Sequence, residues 1–116
     1  MENAVKEKSF RFAVRTVKVC KFLSETKNEY VMSKQLLKCG TSIGANVAES
    51  RFAQSRPDFI SKLSIALKEA GEAEYWLRLL YETNYLTEKQ FMSLICDCEE
   101  LEKLLASIVK SSKTNS

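Results

Sequence analysis

The chain has 116 residues, a formal net charge of +3, four cysteines and no histidine. That length makes one domain, large enough to bury about two-thirds of the surface its unfolded form exposes. Without histidine the commonest general base is missing, as are the Glu-x-x-His ligands of di-iron bundles, and no apolar run approaches the roughly 18 residues of a membrane span.

One proline and three glycines favour long helices over a turn-rich β fold. Charge is spread unevenly. Residues 1–27 carry seven basic and three acidic side chains, and residues 28–57 carry four and two. Residues 58–84 carry three and five, and residues 85–116 four and five. A basic N-terminal half and an acidic C-terminal half suit a nucleic-acid face or head-to-tail contacts between subunits. Glu2 and Glu7 lie among the N-terminal lysines and no uninterrupted apolar region follows, so there is no signal-peptide pattern and a cytoplasmic location is expected. In that compartment the cysteines read as buried thiols acting as small hydrophobes. Cys96 and Cys98, about 200° apart on a helix, cannot clamp one metal.

The first helix is expected over about residues 9–26. Phe10, Ala13, Val14, Val17 and Cys20 recur at helical spacing as its core stripe, with Lys21 snorkelling at the edge. Phe12, Val19 and Leu23 lie nearly opposite, which implies that another subunit covers them. Between the two runs a basic stripe, Lys8, Arg11, Arg15 and Lys18, in a sector of about 80°. It spans about 15 Å, enough to track several phosphates. Phe12 and Phe22 flank it.

Lys27-Asn28-Glu29 is a short polar link into a second helix over about 30–51. Leu36, Gly40, Ile43 and Val47 form its apolar seam, Ser42, Asn46 and Glu49 a polar row, and Gly44, Ala45 and Ala48 the remaining side. Two glycines inside a helix cost about 1 kcal/mol each relative to alanine, so neighbouring helices should approach closely there. The polar row is either a solvated face or a buried hydrogen-bonding row that fixes register between helices. Arg51 and Arg56 sit on and after the end of this helix as additional basic candidates.

Ser55-Arg56-Pro57-Asp58 is a strong start for a third helix over about 56–84. Phe59, Leu63, Ala66, Ala70, Ala73, Leu77 and Leu80 follow alternating steps of four and three, the seam of an antiparallel bundle. Ile65, Trp76 and Leu79 form an outward patch, interrupted by Glu72, that a subunit interface would explain. Glu69, Glu72 and Glu74 spread over about 140° and read as solvated acids, with no metal site among them. Thr87-x-x-Gln90 opens a fourth helix over about 88–110, with Phe91, Leu94, Cys98, Leu101, Leu105 and Ile108 as its seam. The tail, 111–116, is expected to be disordered.

Ser42-Ile43-x-x-Asn46-Val47-Ala48-Glu49, then Ser55 and Asp58-Phe59, resembles the signature of the bacterial four-helix bundle protein family. Its best-known members are the intervening-sequence proteins encoded inside large-subunit ribosomal RNA genes. The resemblance continues through Ile65 to Glu74 and Leu77 to Leu86, and covers roughly residues 10 to 105. Glu49-Ser50 stands where the family usually has Glu-Gly, and Ala70-Gly71-Glu72 where Ser-Ala-x-Glu is common. The family is similar in fold to the accessory protein of diversity-generating retroelements, a nucleic-acid-binding pentamer. The resemblance implies a homopentamer, with Ser42, Ile43, Asn46, Ala48 and Glu49 serving structure and assembly.

The expected architecture is therefore all-α, an antiparallel up-down-up-down four-helix bundle assembling as a ring-like homo-oligomer. The expected function is a non-catalytic, electrostatic RNA- or DNA-binding accessory protein with no cofactor, no metal and no membrane contact. Lys8, Arg11, Arg15, Lys18, Arg51 and Arg56 are its nucleic-acid-binding candidates. Phe12, Val19, Leu23, Ile65, Trp76 and Leu79 are the candidates for the oligomer interface. The alternative is an oligomeric scaffold whose partner is another protein.

Overall fold

The computed structural model describes residues 2–114, with side chains from residue 4 onward. Among the described residues there are four helices and no strand: α1 (Glu2–Thr26), α2 (Val31–Ser50), α3 (Arg56–Glu82) and α4 (Glu88–Thr114). They form an elongated bundle of 47 × 21 × 19 Å. Its long sides are α1 on α2, α2 on α3 and α3 on α4, while α4 packs back on α1 more lightly. α1 starts well before residue 9, because Ala4 to Lys8 continue the helix and Val5 is buried. α4 likewise runs past residue 110, anchored by buried Ile108 and Val109, so residues 111–114 of the expected disordered tail are helical. Residues 115 and 116 lie outside the described residues.

Local chemistry fixes each helix end. Ser55 caps α3, its Oγ accepting from the Asp58 backbone N–H at 3.2 Å, while the Asp58 carboxylate accepts from Gln54 N–H at 3.1 Å. Thr87 and Gln90 form the reciprocal box at α4: Gln90 N–H donates to Thr87 Oγ1 at 3.2 Å and Thr87 N–H to Gln90 Oε1 at 2.9 Å. Asn28 and Asn84 have φ of 55° and 69°, the left-handed conformation that stops a helix and that asparagine tolerates. Backbone bonds from Glu29 N–H to Leu23 O (2.9 Å) and from Tyr85 N–H to Leu80 O (2.9 Å) close those two turns.

The cap of α2 was not evident in the sequence. Glu29, in what reads as a polar link, is buried, and its carboxylate accepts from the backbone N–H groups of Val31, Met32 and Ser33 at 3.1, 2.9 and 2.8 Å. Three of the donors that a helix start leaves unpaired are satisfied by one charged group placed at the positive end of the helix dipole.

The seams of α2, α3 and α4 are buried as their periodicity predicts: Leu36, Ile43 and Val47; Leu63 through Leu80; Phe91 through Ile108. Helix α1 differs. Phe12 is 1% exposed and Leu23 fully buried, so both belong to the bundle core and not to an oligomer surface. Phe10 is 70% exposed, and Val14 and Val17 are also outside. The true inward stripe of α1 is Val5, Ser9, Phe12, Thr16, Cys20 and Leu23. Two of its members are hydroxyl residues, each bonded to its own helix: Ser9 Oγ donates to Lys6 O and Thr16 Oγ1 to Phe12 O. Their small size lets α1 approach the glycines of α2. A Cβ built on Gly40 would lie 2.6 Å from Thr16, and one on Gly44 3.2 Å from the Ser9 carbonyl oxygen.

Candidate nucleic-acid interface

The basic stripe of α1 faces two different environments. Lys8 Nζ lies 3.0 Å from Glu100 Oε2 on α4. Arg15 spans the same seam more completely, with Nη1 at 2.6 Å from Asp97 Oδ2 and 3.1 Å from Ser93 O, and Nη2 at 2.8 Å from Ser93 Oγ. These bonds tie together the most lightly packed pair of helices. Partly exposed pairs of this kind contribute about 0–1 kcal/mol each. Arg11 and Lys18 are exposed, and among the described residues neither makes an ion pair.

Between α1 and α4 lies a groove of about 370 Å³ lined by Arg15, Lys18, Val19, Phe22, Gln90 and Leu94. It joins two of the candidate phosphate contacts to an aromatic side chain and an apolar floor. Arg51 and Arg56 are elsewhere, at the end of the bundle where α2 turns into α3. They line an open depression of about 500 Å³ with Ser50, Gln54, Ser55, Phe59 and Ser112. Arg56 Nη1 donates to Ser112 O at 3.3 Å, and the Arg51 guanidinium lies 5.9 Å from the Phe52 ring centre. Four of the six basic candidates thus fall into two separate concavities, two in each.

The polar row of α2 is partly exposed. Asn46 Nδ2 donates to the carbonyl and hydroxyl oxygens of Ser42 at 2.9 and 3.1 Å, a bond within one helix, and Glu49 pairs with Lys62 of α3 at 3.1 Å. Of the three, only Glu49 bonds across helices. Ile43 is in the core and Ala48 is exposed. On α3, Ile65 is exposed and Trp76 and Leu79 are half-buried, with Trp76 Nε1 donating to Glu72 Oε2 at 3.4 Å. The apolar side chains that α1 turns outward are Phe10, Val14 and Val17, and α2 adds Val31 and Leu37.

The thiols offer no nucleophile in the core. Burial pushes Cys20 and Cys39 up to about 12, and burial raises Cys98 as well, so all three stay protonated at neutral pH. Cys96 is exposed and departs from the expectation of four buried thiols, because the step of two from Cys98 turns it to the opposite side of α4. Among the described residues no group of three or more histidine, cysteine or acidic side chains could hold a metal ion, and no helix is long and apolar enough to cross a membrane.

Fold and surface together define an all-α four-helix protein with basic concavities on its first-to-fourth helix seam and at one end. The chain belongs to the 23S rRNA-intervening sequence protein family, whose model it matches over residues 1–107. It is similar to a protein of unknown function from the S23 ribosomal protein family of Bacteroides thetaiotaomicron, solved by crystallography at 1.70 Å. The two share 58% identity and a TM-score of 0.93, over 94% of this chain and 97% of the other. Comparison with curated proteins gives no match.

Proposed function

We propose that the protein is a non-catalytic accessory protein that binds RNA or DNA electrostatically and acts as a homo-oligomer in the cytoplasm. The observation that carries this is the α1–α4 groove, where Lys18, with no ion-pair partner among the described residues, stands beside Arg15, Phe22 and Val19. A cationic groove with one aromatic wall suits a phosphate backbone whose bases are accessible. The family's association with 23S rRNA by description makes RNA the first polyanion to test.

Self-association would repeat each weak groove in one particle and multiply its affinity. The apolar ridge Phe10, Val14 and Val17 is one surface open to it. A ring, five-membered as the family resemblance implies, would set this ridge on a different face of the next subunit. The acidic surface of α3 and α4 is the natural counterpart of the basic first half. The same ridge favours a second reading, a scaffold that docks a protein partner.

Salt dependence separates the two. Binding of a structured RNA should weaken steeply with salt, and an Arg11→Glu/Lys18→Glu variant should lower the logarithmic slope by roughly one to two units. Arg15 is left intact there, because its bonds to Asp97 and Ser93 hold α1 to α4. Absence of wild-type binding at low salt would overturn the nucleic-acid reading and leave the scaffold.

A further inference from the structure

At the end of the bundle that carries the α2–α3 turn, the core is incompletely filled. The residues that meet there are Val5 of α1, Val47 and Ser50 of α2, Phe59 and Leu63 of α3 and Ile108 of α4. They leave a cavity of about 190 Å³ whose mouth carries Lys6 and Arg51. Protein interiors rarely keep voids larger than a water molecule. An apolar hole of roughly 150 Å³ stays dry and accepts a benzene ring, so this cavity is the size of one six-membered ring. It falls below the roughly 300–1,000 Å³ of a pocket for a drug-sized ligand.

Its chemistry narrows the occupant. Val5, Val47, Phe59, Leu63 and Ile108 supply its apolar walls, and Lys6, Ser50 and Arg51 make the rest of the lining polar. The polar groups at hand are the Lys6 ammonium and the Arg51 guanidinium, both of which can donate to a carbonyl oxygen, and the Ser50 hydroxyl, whose hydrogen is already given to Val47 O. The adjoining depression shares Ser50, Arg51 and Phe59 with this cavity and adds Arg56 and Ser55. A ring in the first space would therefore have its substituents over a cationic, polar surface in the second. A plain hydrocarbon makes no use of those cations, and a cationic ligand is repelled by them. A flat ring with carbonyl acceptors, joined to an anion, uses both spaces.

We infer that this cavity receives a single unpaired pyrimidine base of an RNA or DNA strand, with the adjoining phosphodiester on Arg51 and Arg56. The inference rests on the nucleic-acid reading above and adds to it a preference for single strands. A base inside a duplex is stacked and paired and cannot enter. A strand of unstacked pyrimidines enters without that penalty.

Ser50→Leu tests it. Among the described residues the Ser50 hydroxyl bonds only to Val47 O of its own helix, so leucine fills the void without breaking a hydrogen bond between helices. The probes are a short labelled oligouridine and a blunt RNA duplex of the same length, followed by fluorescence anisotropy, with thermal melts confirming that the variant folds. Ser50→Leu should weaken oligouridine binding roughly tenfold and leave duplex binding unchanged. Ser50→Ala should keep both. If Ser50→Leu binds both probes as the wild type does, the base pocket is overturned and the electrostatic groove on α1 and α4 stands. If the wild type binds neither probe at low salt, both readings fall. If Ser50→Leu spares oligouridine but dissociates the oligomer by light scattering, the cavity holds a side chain of a second copy, and the base pocket is again overturned.

Discussion

Gly40 fits against Thr16 so closely that a methyl group in place of its hydrogen would stand 2.6 Å from both Thr16 Cγ2 and Thr16 Oγ1. Thr16 has little freedom to yield, since it is buried and its hydroxyl donates to Phe12 O at 2.8 Å. Gly40→Ala should therefore destabilise the bundle. Overpacking costs about 1–3 kcal/mol, against a gain of about 1 kcal/mol in helix propensity. Gly71 supplies the control, because its added Cβ would meet only Glu102 Oε2 at 3.9 Å. Gly71→Ala should be neutral or stabilising by up to about 1 kcal/mol. Denaturant unfolding of the two variants would check the pair, and a Gly40→Ala protein as stable as the wild type would show that α1 is not held against α2 here.

Glu29 offers a second test, on a residue outside any helix. Its carboxylate is the common acceptor for three N–H groups at the start of α2. Glu29→Ala leaves those donors unpaired in a partly buried site, and the loss should be about 2 kcal/mol, at the upper end for a helix cap because the acceptor is charged. Glu29→Gln keeps an oxygen but loses the charge, and should fall between. A Glu29→Ala protein with an unchanged unfolding midpoint would mean that water replaces the cap.

The two sides of α1 should respond oppositely to substitution. Phe12→Ala empties a fully packed position and should cost about 3–5 kcal/mol. Phe10→Ser combined with Val14→Ser removes side chains that face outward and should leave unfolding of the subunit nearly unchanged. If the ridge mediates self-association, the double variant should instead lower the particle mass in light scattering. Equal destabilisation by both sets would contradict the orientation of α1.

That helix also shows where the sequence stopped being legible. Helix number and order followed from capping pairs such as Ser55–Asp58 and Thr87–Gln90, and from unbroken four-three seams in α3 and α4, while the start of α1 and the end of α4 lie beyond their expected bounds. On α1 two apolar stripes compete, and counting apolar residues favours Phe10, Ala13, Val14 and Val17. The deciding information was on another helix. Gly40 and Gly44 mark where another helix comes close, and it is the stripe through Ser9 and Thr16 that meets them. The basic candidates were harder still. Charge spacing placed Lys8 and Arg15 on one face, but only the fold shows that Glu100 and Asp97 stand opposite them. The cavity beside Arg51 is lined by side chains from all four helices, which no single stretch of sequence displays.

Glu102 makes stability depend on pH near neutrality. It lies on α4 facing Gly71 and Glu74 of α3, and Glu74 in turn accepts from Arg78 Nη2 at 3.2 Å. Burial, then a hydrogen bond and repulsion from Glu74 and further repulsion from Glu99, raise the Glu102 carboxyl to about 7, with Arg78 opposing. The ordinary value is 4.5, so between the two the folded chain holds a proton that the unfolded chain releases. The contribution is fully present below about pH 4.5 and is lost as pH rises through about 7. Wild-type stability should accordingly decline across that window. Glu102→Gln keeps a neutral, hydrogen-bonding side chain at every pH, so its profile should be flatter and cross above the wild type on the alkaline side. Unfolding midpoints of both proteins, taken at intervals through the window, would show the crossing. Parallel profiles would mean that Glu102 is ionised in the folded bundle, with water and Arg78 stabilising its charge.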